Sequence, residues 1–359
     1  MLKASAVLIL LVLAVVSCGG QVRYESGGAS LAVVAESDIL WTGVAVSREG
    51  RIFVNYPRWS PDVAISVAEV TSSGEATPFP NAEWNRWEEG LPQHERFVCV
   101  QSVYIDRDDD LWVLDAGNPL LGGVVEGGPK LVKIDLGANE IVRVIRFGEP
   151  VIQQGSYLND VRIDVESGHA FITDSGAGAI IVVDLETGSG RRVLYEHPST
   201  KAEDITLIVE GEEVGIRVNA DGIALSPDRK HLYYQALSGR TLYRIETRWL
   251  RDASLSEPEI GAKVERVAET GASDGIEFGR DGNLYLTSIE HNAVRRYTPK
   301  GTVEIVVESP ALKWPDSFSI TQDGTIFVTV SQLHLGPRRT EPYRIYRLVP
   351  DGPHTPQRS

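Results

Sequence analysis

The sequence predicts an all-β fold, a six-bladed β-propeller built from four-stranded antiparallel blades. One strand–turn–strand pattern recurs six times between Thr42 and Thr329. Each copy joins a short apolar strand to a second strand rich in aromatic and β-branched residues, and Asp-Gly turns between them are a strong hairpin signal. No helical period of useful length separates the strands, so a parallel α/β fold is disfavoured.

Each copy of the pattern begins with a polar residue. The copies read TGVAVSREGRIFVN from Thr42, SVYIDRDDDLWVLD from Ser102, DVRIDVESGHAFITD from Asp160, DGIALSPDRKHLYYQ from Asp221, DGIEFGRDGNLYLT from Asp274 and DSFSITQDGTIFVT from Asp316. Further apolar runs follow most copies, so each unit is expected to form a four-stranded sheet. Such a sheet cannot bury both faces alone, whereas a ring of them around an axis can. The segment 30–36 is then available to complete the last blade and close the ring.

The N-terminus has the pattern of a signal peptide. Lys3 precedes a nearly unbroken apolar run over residues 6–16, which is shorter than the roughly 20 residues of a membrane-spanning helix. We interpret residues 1–17 as a signal peptide. The segment 15–19 resembles a bacterial lipobox, which makes Cys18 the expected lipidation site. The alternative is a conventional cleavage site nearby.

These signals divide the chain into four parts. Residues 1–17 are the signal peptide, 18–29 the lipidated cysteine with a Gly-rich flexible tether, 30–350 one propeller, and 351–359 a C-terminal tail. We therefore expect an exported protein that is lipid-anchored to the cell envelope on its periplasmic or cell-surface side, or else secreted. Membrane contact is expected only through the lipid at Cys18.

Charge and cysteine content narrow the function classes. The 359 residues include 35 Lys and Arg against 50 Asp and Glu, a net charge of −15. This balance argues against a nucleic-acid partner, since phosphates require a basic face. The second cysteine, Cys99, lies in the apolar run FVCV and is expected to be a buried core residue rather than a nucleophile.

The residue that opens each copy carries the candidate site. The first strand of each propeller blade lines the central channel, so these residues are expected to form a ring at one channel mouth: Thr42, Ser102, Asp160, Asp221, Asp274 and Asp316. Carboxylates held together raise each other's pKa or recruit a cation. A hard cation such as Ca²⁺ takes oxygen ligands, and Asp160, Asp221 and Asp274 are the expected ligands for Ca²⁺ or another divalent cation. An organic amine would also neutralise the negative charge of these carboxylates, especially where aromatic faces lie nearby.

A purely structural role is the alternative for the aspartates, because Asp at a strand start often caps a turn through backbone N–H groups. If the ring is functional, Asn159 and Asn219 are expected to add amide oxygens. An enzyme also needs a general base beside the ring, and the sequence offers His291 or a ring aspartate. It contains no Gly-rich phosphate loop, CxxC or HExxH motif.

Several longer segments resemble the yellow / major royal jelly protein family. They are RIFVNYPRW (51–59), SVYIDRDDDLWVLDAG (102–117), GGPKLVKIDL (127–136), FITDSGAGAIIVVDLETG (171–188) and NADGIALSP (219–227). The chain looks like a bacterial member, since the paired cysteines of the animal proteins have no counterpart. A weaker resemblance, through DGIA at Asp221 and DGIE at Asp274, is to gluconolactonase/regucalcin-type propellers, which implies a divalent cation in the channel.

The resemblance implies a six-bladed propeller but leaves the function open. We predict a protein that binds a small amine or aromatic ligand at the acidic channel mouth. The alternative is an enzyme using the same site. It would be either a hydrolase or lactonase whose cation polarises a carbonyl oxygen, or an isomerase of the dopachrome type, as the animal relatives imply.

Overall fold

The computed structural model describes residues 23–26, 28–71 and 74–350. The predicted signal peptide 1–17, the lipidation site Cys18 and the tail 351–359 lie outside the described residues, so export and lipid anchoring stay predictions from the sequence. In the described part of the chain, no helix is long and apolar enough to cross a membrane.

The predicted all-β propeller is confirmed, with the strands arranged in six antiparallel sheets around an axis. Two strands precede the first blade: β1 (Arg23–Ser26) and β2 (Ala29–Ser37). Blade 1 consists of β3 (Val44–Val46), β4 (Ile52–Asn55), β5 (Val67–Val70) and β6 (Ala76–Pro78). Blade 2 consists of β7 (Val100–Ile105), β8 (Leu111–Asp115), β9 (Lys130–Asp135) and β10 (Glu140–Arg146). Blade 3 consists of β11 (Leu158–Asp164), β12 (His169–Asp174), β13 (Ala179–Asp184) and β14 (Gly190–Val193).

A separate hairpin, β15 (Leu207–Val209) and β16 (Glu212–Val214), follows blade 3. Blade 4 consists of β17 (Ala220–Leu225), β18 (His231–Ala236), β19 (Thr241–Glu246) and β20 (Glu265–Glu269). Blade 5 consists of β21 (Ile276–Phe278), β22 (Leu284–Ser288), β23 (Ala293–Tyr297) and β24 (Val303–Glu308). Blade 6 contains β25 (Pro315–Ile320), β26 (Ile326–Val330) and β27 (Tyr343–Pro350).

The few helices of the described chain are short. The α-helices are α1 (Ala82–Asn85), α2 (Thr247–Arg251) and α3 (Glu257–Gly261). Single 3₁₀ turns occur at Gln93–Glu95, Pro119–Leu121, Pro198–Thr200, Ile289–His291 and Gly336–Arg338.

The ring closes through the N-terminal segment, as expected. Strand β2 pairs antiparallel with β27, so blade 6 takes its outer strand from the start of the chain. Strand β1 then adds a fifth strand to this sheet, although it lies in the segment expected to be a flexible tether. This closure ties both ends of the described chain into one blade.

The strand–turn–strand repeat places the innermost strand of every blade around the channel. The innermost strands β3, β7, β11, β17, β21 and β25 contact one another in cyclic order. Each of the predicted turns contains a residue with positive φ: Gly50, Asp109, Gly168, Arg229, Gly282 and Gly324. All of the inner strands therefore begin at one face of the propeller and end in tight turns at the other.

Neighbouring blades pack through apolar side chains. Between blades 2 and 3, Trp112 and Leu131 share a buried cluster with Leu158 and Ile172. Burying a side chain of this size contributes roughly 1.5–3 kcal/mol. Cys99 is fully buried, as predicted, and burial raises the pKa of its thiol to about 12.

Candidate functional site

The structure brings the predicted ring residues together at the channel end where the inner strands begin. We call this end the carboxylate mouth: Thr42, Ser102, Asp160, Asp221, Asp274 and Asp316. Contacts run from blade to blade around it. The Thr42 hydroxyl donates to the carbonyl of Gln101 at 2.9 Å, and the Ser102 hydroxyl donates to Asp160 at 2.7 Å.

The three aspartates of blades 4, 5 and 6 form the most buried part of the carboxylate mouth. Asp221, Asp274 and Asp316 are only 3%, 7% and 4% exposed. Burial, followed by the negative charges of Asp274 and Asp316, raises the pKa of Asp221 well above its usual range. Burial likewise raises the pKa of Asp274 to about 7, although a hydrogen bond from Trp314 opposes the shift. The pKa of Asp316 is also raised well above its usual range, by burial and then by the charge of Asp274.

These three carboxyl groups have only neutral or acidic partners among the described residues. Asp221 accepts from the Asn159 amide at 2.8 Å and lies in hydrogen-bonding range of Asp274. Asp274 accepts from the Trp314 indole N–H at 2.7 Å. Asp316 accepts from Ser317 at 3.0 Å. Because no cation of the described chain compensates them, they hold protons at a pH where an exposed aspartate is ionised.

Asp160 is the exception in the ring, since it has a cationic partner. Arg162 Nη1 lies 3.0 Å from Asp160 Oδ2 and donates to the Val161 carbonyl. The same guanidinium crosses the channel to blade 5, where it donates to the Ile276 carbonyl at 2.8 Å. Its Nε lies 2.9 Å from Glu277 Oε2. Arg162 therefore neutralises Asp160 and leaves the other three aspartates uncompensated.

Aromatic and amide side chains border the carboxylate mouth on the side of blades 1 to 3. The Trp59 indole N–H donates to the Tyr157 hydroxyl at 2.7 Å. That hydroxyl donates in turn to Gln101 Oε1 at 2.8 Å. The rings of Trp59 and Tyr157 are half-buried, with centroids 6.5 Å apart. This side therefore presents aromatic faces close to the ring of carboxyl groups.

The hairpin β15–β16 covers the mouth on the side of blades 4 to 6. Leu207 and Val209 of this hairpin pack in one apolar cluster with Ile289 of blade 5 and Trp314 of blade 6. Trp314 is fully buried there and is also the donor to Asp274. The hairpin therefore shields the most buried carboxyl groups from water, which contributes to their raised pKa values.

A polar latch holds the tip of this hairpin. Glu210 Oε2 lies 2.8 Å from His334 Nε2, and Glu210 Oε1 accepts from Asn292 at 2.9 Å. The His334 ring stacks on Trp314, with centroids 5.9 Å apart and planes 13° from parallel. His334 side-chain exposure is 3%. One continuous set of contacts thus links the hairpin tip to Asp274.

Other predicted residues lie elsewhere. His291 is exposed, and among the described residues no hydrogen bond or ion pair joins it to the carboxylate mouth; burial and then Arg295 lower its pKa. Asn219 does not join the ring either, because its amide bonds Ala202 N and the Gly176 carbonyl. Asn159 does reach the mouth, but it offers its N–H₂ to Asp221 instead of an oxygen to a metal.

The expected metal ligands Asp160, Asp221 and Asp274 do not form a ready-made metal centre. Over residues 23–26, 28–71 and 74–350, no group of three or more His, Cys, Asp or Glu side chains is arranged to hold a metal ion. Asp160 is also paired with the guanidinium of Arg162, a positive charge that opposes a nearby metal cation. The donor set as arranged therefore does not fit a divalent cation.

Sequence comparison decides the family. The model of the major royal jelly protein family matches residues 98–345, well over half of the chain. The chain belongs to the major royal jelly protein family. The matched segment runs from the start of blade 2 into the last strand of blade 6, and it contains all of the ring residues except Thr42.

The sequence identity between this chain and individual family members is low. The chain is 25% identical to major royal jelly protein 7 of Apis mellifera over 253 residues, which is 66% of this chain and 55% of the relative. It is 23% identical to major royal jelly protein 6 of Apis mellifera over 226 residues, which is 60% of this chain and 50% of the relative. The chain thus spans about half the length of the curated relatives it matches.

Solved structures with the same fold include enzymes. A gluconolactonase from Xanthomonas campestris superposes with a TM-score of 0.56 at 14% identity, over 90% of each chain. A luciferin-regenerating enzyme gives a TM-score of 0.56 at 13% identity, over 90% of this chain and 96% of that one. At these identities the likeness shows the propeller fold alone.

Proposed function

We propose that this family member binds a small organic amine at the carboxylate mouth. The observation that carries the proposal is the set of three buried carboxyl groups, Asp221, Asp274 and Asp316, with no cationic partner among the described residues. A buried charge is costly unless it is paired. An ammonium group supplies the missing charge, and it allows the carboxyl groups to release protons.

The borders of the site support an amine with an apolar or aromatic body. Trp59 and Tyr157 lie half-buried on the side of blades 1 to 3, and aromatic faces attract ammonium groups. Gln101 and Asn159 add amide groups that can orient the ligand. Binding by these groups requires no general base, whereas the enzymatic alternatives do.

No contact at the mouth specifically favours the enzymatic alternatives. A hydrolase or lactonase of the kind considered above needs a bound cation, and the residues as arranged do not fit one. An isomerase needs a positioned base; among the described contacts His291 does not reach the ring residues, which leaves a ring aspartate such as Asp274, whose pKa is raised to about 7, as the candidate base. Amine binding is therefore the function that the arrangement supports best.

Titration calorimetry with phenylpropylamine tests the proposal. We expect saturable binding to the wild type, weakened about tenfold or more in Asp274→Asn, because removing one partner leaves the other charge of a buried ion pair uncompensated, which costs about 1.4 kcal/mol or more. The variant Asp62→Asn changes an exposed carboxylate and serves as the matched control. Phenylpropanol, which has the same body without a charge, should bind weakly.

Two outcomes would remove the proposal. One is the absence of saturable amine binding, and the other is equal binding to the wild type and Asp274→Asn. A parallel titration after treatment with a chelator distinguishes amine binding from the divalent-cation hypothesis. If the melting temperature and amine affinity are unchanged and the purified protein contains no metal, the divalent cation is excluded.

A further inference from the structure

The opposite end of the channel contains a second cavity, which we call the turn-side cavity. Its volume is about 290 Å³, and it is lined by residues of all blades. Asp221, Asp274 and Asp316 do not line it, whereas Asp160 and Arg162 do. Ser102 and Asp160 of the carboxylate mouth also line the cavity, so the two spaces share this boundary, while the cavity extends to the face where the inner strands end.

A collar of apolar side chains forms the wall of this cavity. Each blade contributes one of them, at or next to the last position of its inner strand: Val46, Ile105, Ile163, Leu225, Phe278 and Ile320. The collar follows from the repeat, because the residue three or four positions after each ring residue is apolar in every copy. Apolar walls with a few convergent polar groups are typical of small-molecule sites.

The floor of the cavity is polar and contains Arg162, whose guanidinium crosses the channel. Arg162 pairs with Asp160 and Glu277, and its guanidinium lies 5.2 Å from the centroid of Tyr104. Tyr104 lines the cavity, and no hydrogen bond from a described residue engages its hydroxyl. Burial, opposed by Arg162, raises the pKa of Glu277. The floor thus offers hydrogen-bonding groups with little net charge.

Arginines form the rim two residues beyond the collar. Arg48, Arg107 and Arg280 occupy equivalent positions in blades 1, 2 and 5, and all are exposed. Among the described residues, Arg280 has no hydrogen bond or ion pair. The Arg48 side chain donates to the Arg107 carbonyl at 3.2 Å but has no carboxylate within ion-pair distance. Arg107 donates to the Pro227 carbonyl at 3.0 Å and lies 3.8 Å from Glu166.

The acidic side chains of the rim already have partners. Asp106 accepts from the Trp112 indole at 2.7 Å and from the backbone of its own turn. Asp109 accepts from the Arg48 backbone N–H at 2.8 Å. The side chains of Arg48 and Arg280 are therefore left to attract an anion at the cavity entrance, in a protein whose net charge is −15.

From these features we propose that the turn-side cavity binds a small amphiphilic carboxylate. The apolar body lies within the collar, the carboxylate contacts Arg48 and Arg280 at the rim, and a polar group at the inner end contacts Tyr104 and Glu277. The collar and the rim arginines lie outside the carboxylate mouth, so this proposal does not depend on the proposed amine binding.

Calorimetry with a matched pair of probes tests this site. Phenylpropionate and phenylpropylamine have similar bodies and opposite charges. We expect saturable binding of phenylpropionate that weakens about fivefold or more in the double variant Arg48→Gln/Arg280→Gln, since each exposed ion pair changes affinity by up to about fivefold. Binding should also weaken with added salt. The control Arg296→Gln removes an exposed arginine that pairs with Glu304 outside the cavity and should have no effect.

A second variant tests the collar. Leu225→Trp fills the cavity and should abolish phenylpropionate binding, while Asp274→Asn leaves it unchanged. The double arginine variant should in turn retain its phenylpropylamine affinity, so failure of one site is distinguishable from failure of the other. The absence of saturable phenylpropionate binding to the wild type overturns the proposal. Equal phenylpropionate affinity in the double arginine variant, or in a folded Leu225→Trp protein, overturns it as well.

Discussion

At the residue scale, the contacts and burial of Asp274 determine its pKa, and therefore the pH at which the carboxylate mouth loses a proton. It accepts a hydrogen bond from Trp314 and lies beside Asp221, and burial is the main cause of its pKa of about 7. An aspartate in the unfolded chain has a pKa near 3.9. Between these two values the folded protein binds more protons than the unfolded chain at this residue.

The sign of the pH dependence follows from this difference. Asp274 adds stability that is fully present below pH of about 3.9 and is lost as the pH rises through about 7, because the folded protein then has to ionise a buried group. The shift corresponds to a loss on the order of 4 kcal/mol. We therefore expect the ligand-free protein to lose stability as the pH rises from about 4 to about 7, with little further loss from Asp274 above that range.

Chemical denaturation across this pH range measures the effect. Asp274→Asn keeps the side-chain shape but cannot ionise, so its loss of stability between about pH 4 and pH 7 should be smaller than that of the wild type. Asp62→Asn should follow the wild type. If Asp274→Asn and the wild type show the same pH dependence, Asp274 is not the titrating group.

At the element scale, the hairpin β15–β16 limits access to the carboxylate mouth. Its apolar side packs on Ile289 and Trp314, and its tip is held by the Glu210–His334 contact. The ion pair of Glu212 with Arg338, next to the hairpin turn, is more than half exposed, so it is expected to contribute little. In the latch, Glu210 is partly exposed but His334 is nearly buried against Trp314, so the latch is expected to be the stronger attachment.

Hydrogen exchange tests this latch. His334→Phe preserves an aromatic ring on Trp314 but removes the contact with Glu210, so amides of residues 207–214 should exchange faster while the blade strands are unchanged. Arg338→Gln, the matched control, should have little effect on the same amides. Unchanged exchange of the hairpin in His334→Phe would show that apolar packing alone holds it in place.

At the scale of the whole molecule, features that recur in every blade could be predicted from the sequence, whereas contacts that occur only once could not. The blades, their turns and the ring residues recur with the strand–turn–strand pattern, so one alignment locates them, and Ser30 to Glu36 indeed lies in the closing strand β2. Arg162, Trp314 and the latch at His334 were not predicted. Each of them contacts residues that are far away in sequence and that do not recur in the other copies of the repeat, so no sequence spacing encodes such contacts. Asn219 fails as a ring residue because its amide bonds neighbouring backbone groups instead.

The central claim, that an amine replaces protons at the buried carboxyl groups, is tested most directly by proton release on binding. Calorimetry of phenylpropylamine binding, repeated in buffers of different ionisation enthalpy about one pH unit below the Asp274 pKa of about 7, counts the protons released. We expect release of close to one proton by the wild type and much less by Asp274→Asn. Amine binding by the wild type without proton release would contradict the account.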